Sequence, residues 1–182
     1  MKEKTRVVGA VLGVLALIIV VSGITYAAFS WASDPDRGVI SGNTQCFDIT
    51  YTKGTDILGG SLDFGSTYTD GLSSTVKVKL DDACTINGIG TLYLDTKEET
   101  SDYLITNKLV RYQVLDGTTE VANGIIESKG KNIIYDNFDV TNTEKEFTVY
   151  IWISIEDVTD DNISSISSST YSGTISMSAE GR

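Results

Sequence analysis

The stretch 146–157, "EFTVYIWISIED", decides the fold. Its side chains alternate, with Phe147, Val149, Ile151, Ile153 and Ile155 on one face and Thr148, Tyr150, Trp152 and Ser154 on the other. Successive side chains of an extended chain point to opposite faces, so a period of two reads as a strand. A helix would bring together residues three and four apart, which here mixes the two sets. Tyr150 and Trp152 add enough apolar surface to the second face to predict a central strand covered on both sides.

The same alternation recurs in "STVKVKLDD" (74–82), where Val76, Val78 and Leu80 oppose Lys77, Lys79 and Asp81. Weaker strands are "QCFDITY" (45–51), "GTLYLD" (90–95), "LVRYQVL" (109–115), "TEVANGII" (119–126), "NIIYDNFDV" (132–140) and "TYSGTISMSA" (170–179). Asp116-Gly117 between two of these runs is a strong hairpin signal, and Asn87-Gly88, Asn123-Gly124 and Lys129-Gly130 read as further turns. Eight or so short strands with frequent turns predict an all-β, two-sheet antiparallel sandwich, of jelly-roll or immunoglobulin-like type. One helical turn fits in "TKEETSDYLITNK" (96–108), and "DVTDDNISSISSST" (157–170) reads as a mobile loop.

Composition agrees with β-structure: the 182 residues include 17 Gly, nine Tyr and a single Pro. There is no His, which removes the commonest metal ligand and general base, and with them most zinc and Ser-His or Cys-His enzymes. The formal charge is −11; residues 1–27 carry Lys2, Lys4 and Arg6 against Glu3, a net +2, so the remainder carries −13. A surface that acidic repels phosphate backbones, and no nucleic-acid partner is expected. No cofactor motif is present, and the chain is not expected to be an enzyme.

"MKEKTR" is followed by an uncharged run that lasts until Asp34. The basic lead and apolar centre have the polarity of an export signal. Residues 7–21 suit the core of a signal peptide, while 7–29 reach the ~20 residues that span a bilayer. Thr25 and Ala27 stand at −3 and −1 of a cut before Ala28. The chain therefore divides into a signal peptide or signal anchor (1–27), an extended segment or linker (28–38) and an extracellular β-sandwich domain (39–182). Cleavage gives a released protein, and retention gives a membrane-anchored one; both place the domain at the cell surface or beyond. In an exported domain Cys46 and Cys84 are expected to pair, with two buried free thiols as the alternative. Closing that loop stabilises a fold by about 4 kcal/mol on the chain-entropy model.

The junction Gly23-Ile24-Thr25-Tyr26-Ala27-Ala28-Phe29-Ser30 resembles the "G-x-T-[aromatic]-A-[AY]-F-[SN]" of the TasA/camelysin family of exported Gram-positive proteins. "VISGNTQCFDITY" (39–51) is similar to that family's first mature strand, and "YSGTISMSAEG" (171–181) to its closing strand. The resemblance covers the two ends of the chain. It implies cleavage by a dedicated signal peptidase, a jelly-roll domain outside the cell, and biofilm-matrix fibres in which the freed N-terminal segment of one subunit completes the sheet of the next. Some relatives are classed as metallopeptidases, but this chain has neither His nor an HExxH helix to support that activity.

The leading expectation is thus a structural cell-surface or matrix protein, with itself as partner and, before or without cleavage, the membrane through residues 7–29. Its assembly segment would centre on Phe29 and Trp31, two residues apart and so on one face of a strand. The alternative is a membrane-anchored ligand-binding module for glycans or Ca²⁺. Its acidic candidates are Asp34 and Asp36, Asp81 and Asp82, and the group Glu156, Asp157, Asp160 and Asp161; none has EF-hand order. The Ser-rich 164–170 has no base to activate a nucleophile and reads as linker.

Overall fold

The computed structural model describes residues 30–32, 47–60, 62 and 64–182. Eleven strands are found there: β1 (Ser30–Ala32), β2 (Ile49–Thr52), β3 (Ile57–Gly60), β4 (Phe64–Gly65), β5 (Leu72–Leu80), β6 (Gly88–Thr96), β7 (Val110–Asp116), β8 (Thr119–Ile125), β9 (Gly130–Val140), β10 (Lys145–Ser154) and β11 (Tyr171–Gly181). Two short helices, α1 (Asp102–Thr106) and α2 (Ile163–Ser167), and 3₁₀ turns at Tyr68–Asp70 and Ile155–Asp157 complete it.

The strands form two sheets. The first runs β1-β11-β6-β9, with β3 also on β11; the second runs β2-β5-β10-β7-β8, with β4 making a short parallel pair with β10. All other pairings are antiparallel. Count β1 and then β5 to β11 as eight strands in chain order. The sheets then read 1-8-3-6 and 2-7-4-5, the order made when two Greek keys roll up into a jelly roll. The topology thus separates the two sandwich types that the sequence left open.

The alternating pattern sets the core. On β10, Phe147, Val149, Ile151 and Ile153 are buried, each 1% exposed or less, and face Leu92, Leu94, Ile175 and Met177 of the first sheet. Phe138 of β9 lies over Gly90 of β6, where a Cβ would come within 2.3 Å of the ring. The sandwich has two distinct poles. At one, α1 and α2 plug the end with Leu104 and Ile166, joined by the Ser101 N–H donating to the Thr170 carbonyl at 2.9 Å. At the other, β1 enters beside Glu180, the 80–88 loop turns, and Arg182 donates its N–H to the Asn87 carbonyl.

Several expectations need correction. Ile155 does not continue the buried face: it belongs to a 3₁₀ turn and is 55% exposed. Tyr150 and Trp152 are half-buried rather than covered on both sides. The Asn123-Gly124 pair sits inside β8 instead of making a turn, because its glycine lies against the Tyr112 ring, 2.9 Å from where a Cβ would be. The loop 157–170 contains α2, held by buried Ile166. The Asp116-Gly117 hairpin is present, with Gly117 in the left-handed region at φ 61°.

Candidate functional site

The first-strand position of the roll, beside β11, is filled from two ends by two different segments. β1 pairs Ser30, Trp31 and Ala32 with Glu180, Ala179 and Ser178. β3 pairs Gly60 with Tyr171 and Ile57 with Gly173. Thr174, Ile175, Ser176 and Met177 lie between the two registers. Their backbone direction follows from the other side of the strand. The Lys97 N–H donates to the Ser172 carbonyl at 2.9 Å, so the even-numbered residues of β11 turn their backbone groups toward β6. Antiparallel pairs alternate, so the odd-numbered ones turn theirs outward, to the first-strand position.

The Ile175 carbonyl is one of these, and its donor comes from the opposite sheet. Tyr51 of β2 pairs with Val78 of β5, and its hydroxyl donates to the Ile175 carbonyl at 3.0 Å. Burial, and then the charge of Asp56, push its pKa well above the ordinary tyrosine value, so the hydroxyl stays a donor. Sequence reading missed this residue. Its signal was there, since Tyr51 ends the alternating run "QCFDITY" on the same face as buried Ile49.

Of the residues singled out from sequence, Thr25, Ala27, Ala28, Phe29 and Cys46 lie outside the described residues, as do Asp34 and Asp36. Trp31 is in β1, opposite Ala179. Cys84 is buried, 3% exposed, and disulfide-bonded. The remaining acidic candidates do not converge. Asp81 accepts the Ala83 N–H at 2.8 Å, Asp82 pairs with Lys79 at 2.7 Å and Asp157 with Arg111 at 2.8 Å. Among the described residues no three His, Cys, Asp or Glu side chains gather as a metal site would need. Nor is any described helix long and apolar enough to cross a membrane.

A second surface lies on the outer face of the β2-β5-β10-β7-β8 sheet. Tyr68 stands edge-on against Tyr150 and Trp152, with ring centroids 4.9 and 6.5 Å away. Gly71 lets its turn lie this close, since a Cβ there would be 2.3 Å from the Ile151 carbonyl oxygen. Next to the rings, Gln113 and Asn123 both donate to the Glu120 carboxylate. The face thus combines half-buried rings with fixed polar groups.

No family model and no curated protein matches the chain. Among solved structures it is similar to the CBM36-1 domain of a multidomain xylanase from the hindgut metagenome of Trinervitermes trinervoides. The identity is 10% and the TM-score 0.35, over 74% of this chain and 98% of that one. At that depth the likeness says nothing about function.

Proposed function

We propose that this chain is an exported bacterial surface or matrix protein whose copies join by strand addition. The segment after the apolar run of one copy fills the first-strand position of the next. The observation that supports this reading is the pairing of Ser30, Trp31 and Ala32 with β11 in that position. The pairing is made by main-chain bonds, which the same strand of another copy can make equally well. Exchange of an identical element is a low-cost route to assembly, and a head-to-tail contact that does not close on itself runs on into a filament. Main-chain pairing supplies the affinity, and alternate side chains, here Phe29 and Trp31, the anchors.

The test is to secrete the full chain from a bacterial host, determine the mature N-terminus by mass spectrometry, and examine the product by size exclusion and electron microscopy. A start at Ala28 and linear assemblies lost in the Phe29→Ser/Trp31→Ser variant are expected. A product that stays monomeric with both residues intact would overturn the reading.

The outer face with Tyr68, Tyr150 and Trp152 favours a second reading, a glycan-binding surface module. Rings can stack on sugar faces while Gln113, Glu120 and Asn123 bond hydroxyls. Retardation in gels containing neutral polysaccharides, abolished by Trp152→Ala, is its expected result, and equal mobility with and without polysaccharide refutes it.

A further inference from the structure

We infer that the outer face of the β2-β5-β10-β7-β8 sheet takes glycans that carry protonated amines, with the sugar on Tyr150 and Trp152 and its ammonium on the Glu120 carboxylate. This rests on the glycan-binding reading and names the class of glycan. Charge pairing within the sheet points to it. The strands of this sheet hold three carboxylates, Asp116, Glu120 and Glu146. Asp116 pairs with Lys145 at 3.5 Å and Glu146 with Lys77 at 2.9 Å. Glu120 is held instead by two neutral donors, the amides of Gln113 and Asn123. The remaining basic side chains of these strands are taken as well, Lys79 by Asp82 and Arg111 by Asp157. Neutral donors order a carboxylate without cancelling its charge, so exposed Glu120 keeps that charge for a cation arriving from outside.

The register sets this carboxylate beside the rings. Tyr150 of β10 stands opposite Gln113 of β7, Gln113 stands opposite Asn123 of β8, and Glu120 follows on the same face of β8, opposite Leu115. Gln113, 8% exposed, donates to Glu120 at 2.8 Å and so draws the carboxylate toward β7, the strand next to the aromatic column. Adjacent strands lie about 4.8 Å apart, within reach of the substituents of one sugar. Tyr68 stands on the other side of β10, in the turn that leads into β5, so it walls the column there and leaves the side toward Glu120. A sugar stacked on Tyr150 and Trp152 presents its edge groups to that side. An ammonium among them gains twice, from the ring faces, whose quadrupole attracts cations, and from a charge-assisted hydrogen bond to the carboxylate. A uronate or phosphate in the same place meets repulsion.

The test is calorimetric titration of the secreted chain with two tetrasaccharides of one backbone, β-linked glucosamine and β-linked N-acetylglucosamine, in mildly acidic buffer that protonates the free amines. The wild type should bind the amine form roughly 3- to 10-fold more tightly, the worth of one partly exposed charged hydrogen bond. Glu120→Gln keeps the size of the side chain and one acceptor, and should bind the two forms alike. Asp136→Asn removes the same charge from exposed β9 of the other sheet and should keep the preference. A preference that survives in Glu120→Gln, or that Asp136→Asn abolishes equally, overturns the inference and leaves glycan binding standing. Equal binding of both forms by the wild type does the same. Binding of neither overturns the inference, and retardation by neutral polysaccharides in gels then decides the glycan reading on its own.

Discussion

Phe138 and Phe147 carry the contact that closes the sandwich, and a double-mutant cycle measures it. Phe138 belongs to β9 of one sheet and Phe147 to β10 of the other; both are at most 2% exposed. Their ring centroids are 4.8 Å apart at 59°, and Tyr135 contacts both, stacked on Phe138 at 5.4 Å and edge-on to Phe147 at 5.7 Å. Phe→Ala at such sites costs about 3–5 kcal/mol, enough to threaten folding of the double variant, so Phe→Leu is the better change. Leucine refills most of the volume, and each single change should cost ~1.5 kcal/mol. The ring–ring term, roughly 0.5–1.5 kcal/mol beyond area, is lost with the first substitution and cannot be lost again with the second. The double variant should therefore be more stable than the sum of the singles by that amount. Urea unfolding of the secreted chain, with the disulfide intact and the slope unchanged among variants, reads it out. Strict additivity, within ~0.3 kcal/mol, would refute the claim that these rings hold the two sheets together.

Three further outcomes follow from the geometry. Gly71→Ala places a Cβ 2.6 Å from that of Trp152, so it should lift Tyr68 from the ring pair, shift Trp152 fluorescence and destabilise by about 1–3 kcal/mol. Burial pushes the Tyr171 hydroxyl up to about 12, against a lowering contribution from Thr96, and Tyr51 is also raised. The folded state then holds these protons more tightly than the unfolded one. Stability should be flat to about pH 9 and fall between about pH 10 and 12, by ~1.4 kcal/mol per pH unit for each tyrosine. Tyr171→Phe should flatten that fall in a urea series against pH. Reduction of the Cys84 disulfide with dithiothreitol should lower the urea midpoint by the equivalent of about 2–4 kcal/mol, and an unchanged midpoint would mean the bond constrains little.

Strands that alternate strictly were legible because one face is core and the other is not. "STVKVKLDD" and "EFTVYIWISIED" show this, with Val76, Val78, Phe147 and Val149 all inside. β3 and β4 were not legible: "ILGG" and "FG" are too short to show a period, and their strand state comes from β11 and β10, which they pair with. α2 escaped notice because its Ser-rich sequence looks like linker, while a single residue, Ile166, anchors it. The covering expected over Tyr150 and Trp152 failed for a different reason. Aromatic side chains on a strand show that apolar surface is present, and tertiary context decides how much of it is buried. At the candidate site the sequence pointed to Trp31 and not to Tyr51, whose partner Ile175 is 124 residues away.

The two poles of the sandwich make it a directional object. Its N-terminal strand enters at the pole where Arg182 also emerges, and the two helices close the opposite one. In the proposed strand-linked row each copy would keep that direction, so the ends would be chemically unlike: one would offer an acceptor edge and the other an unused strand. Subunits would arrive at the two ends at different rates, giving a fast and a slow end. A label or tag attached at Arg182 would sit in every joint, whereas one in the 159–162 loop beside α2 would leave the joints clear.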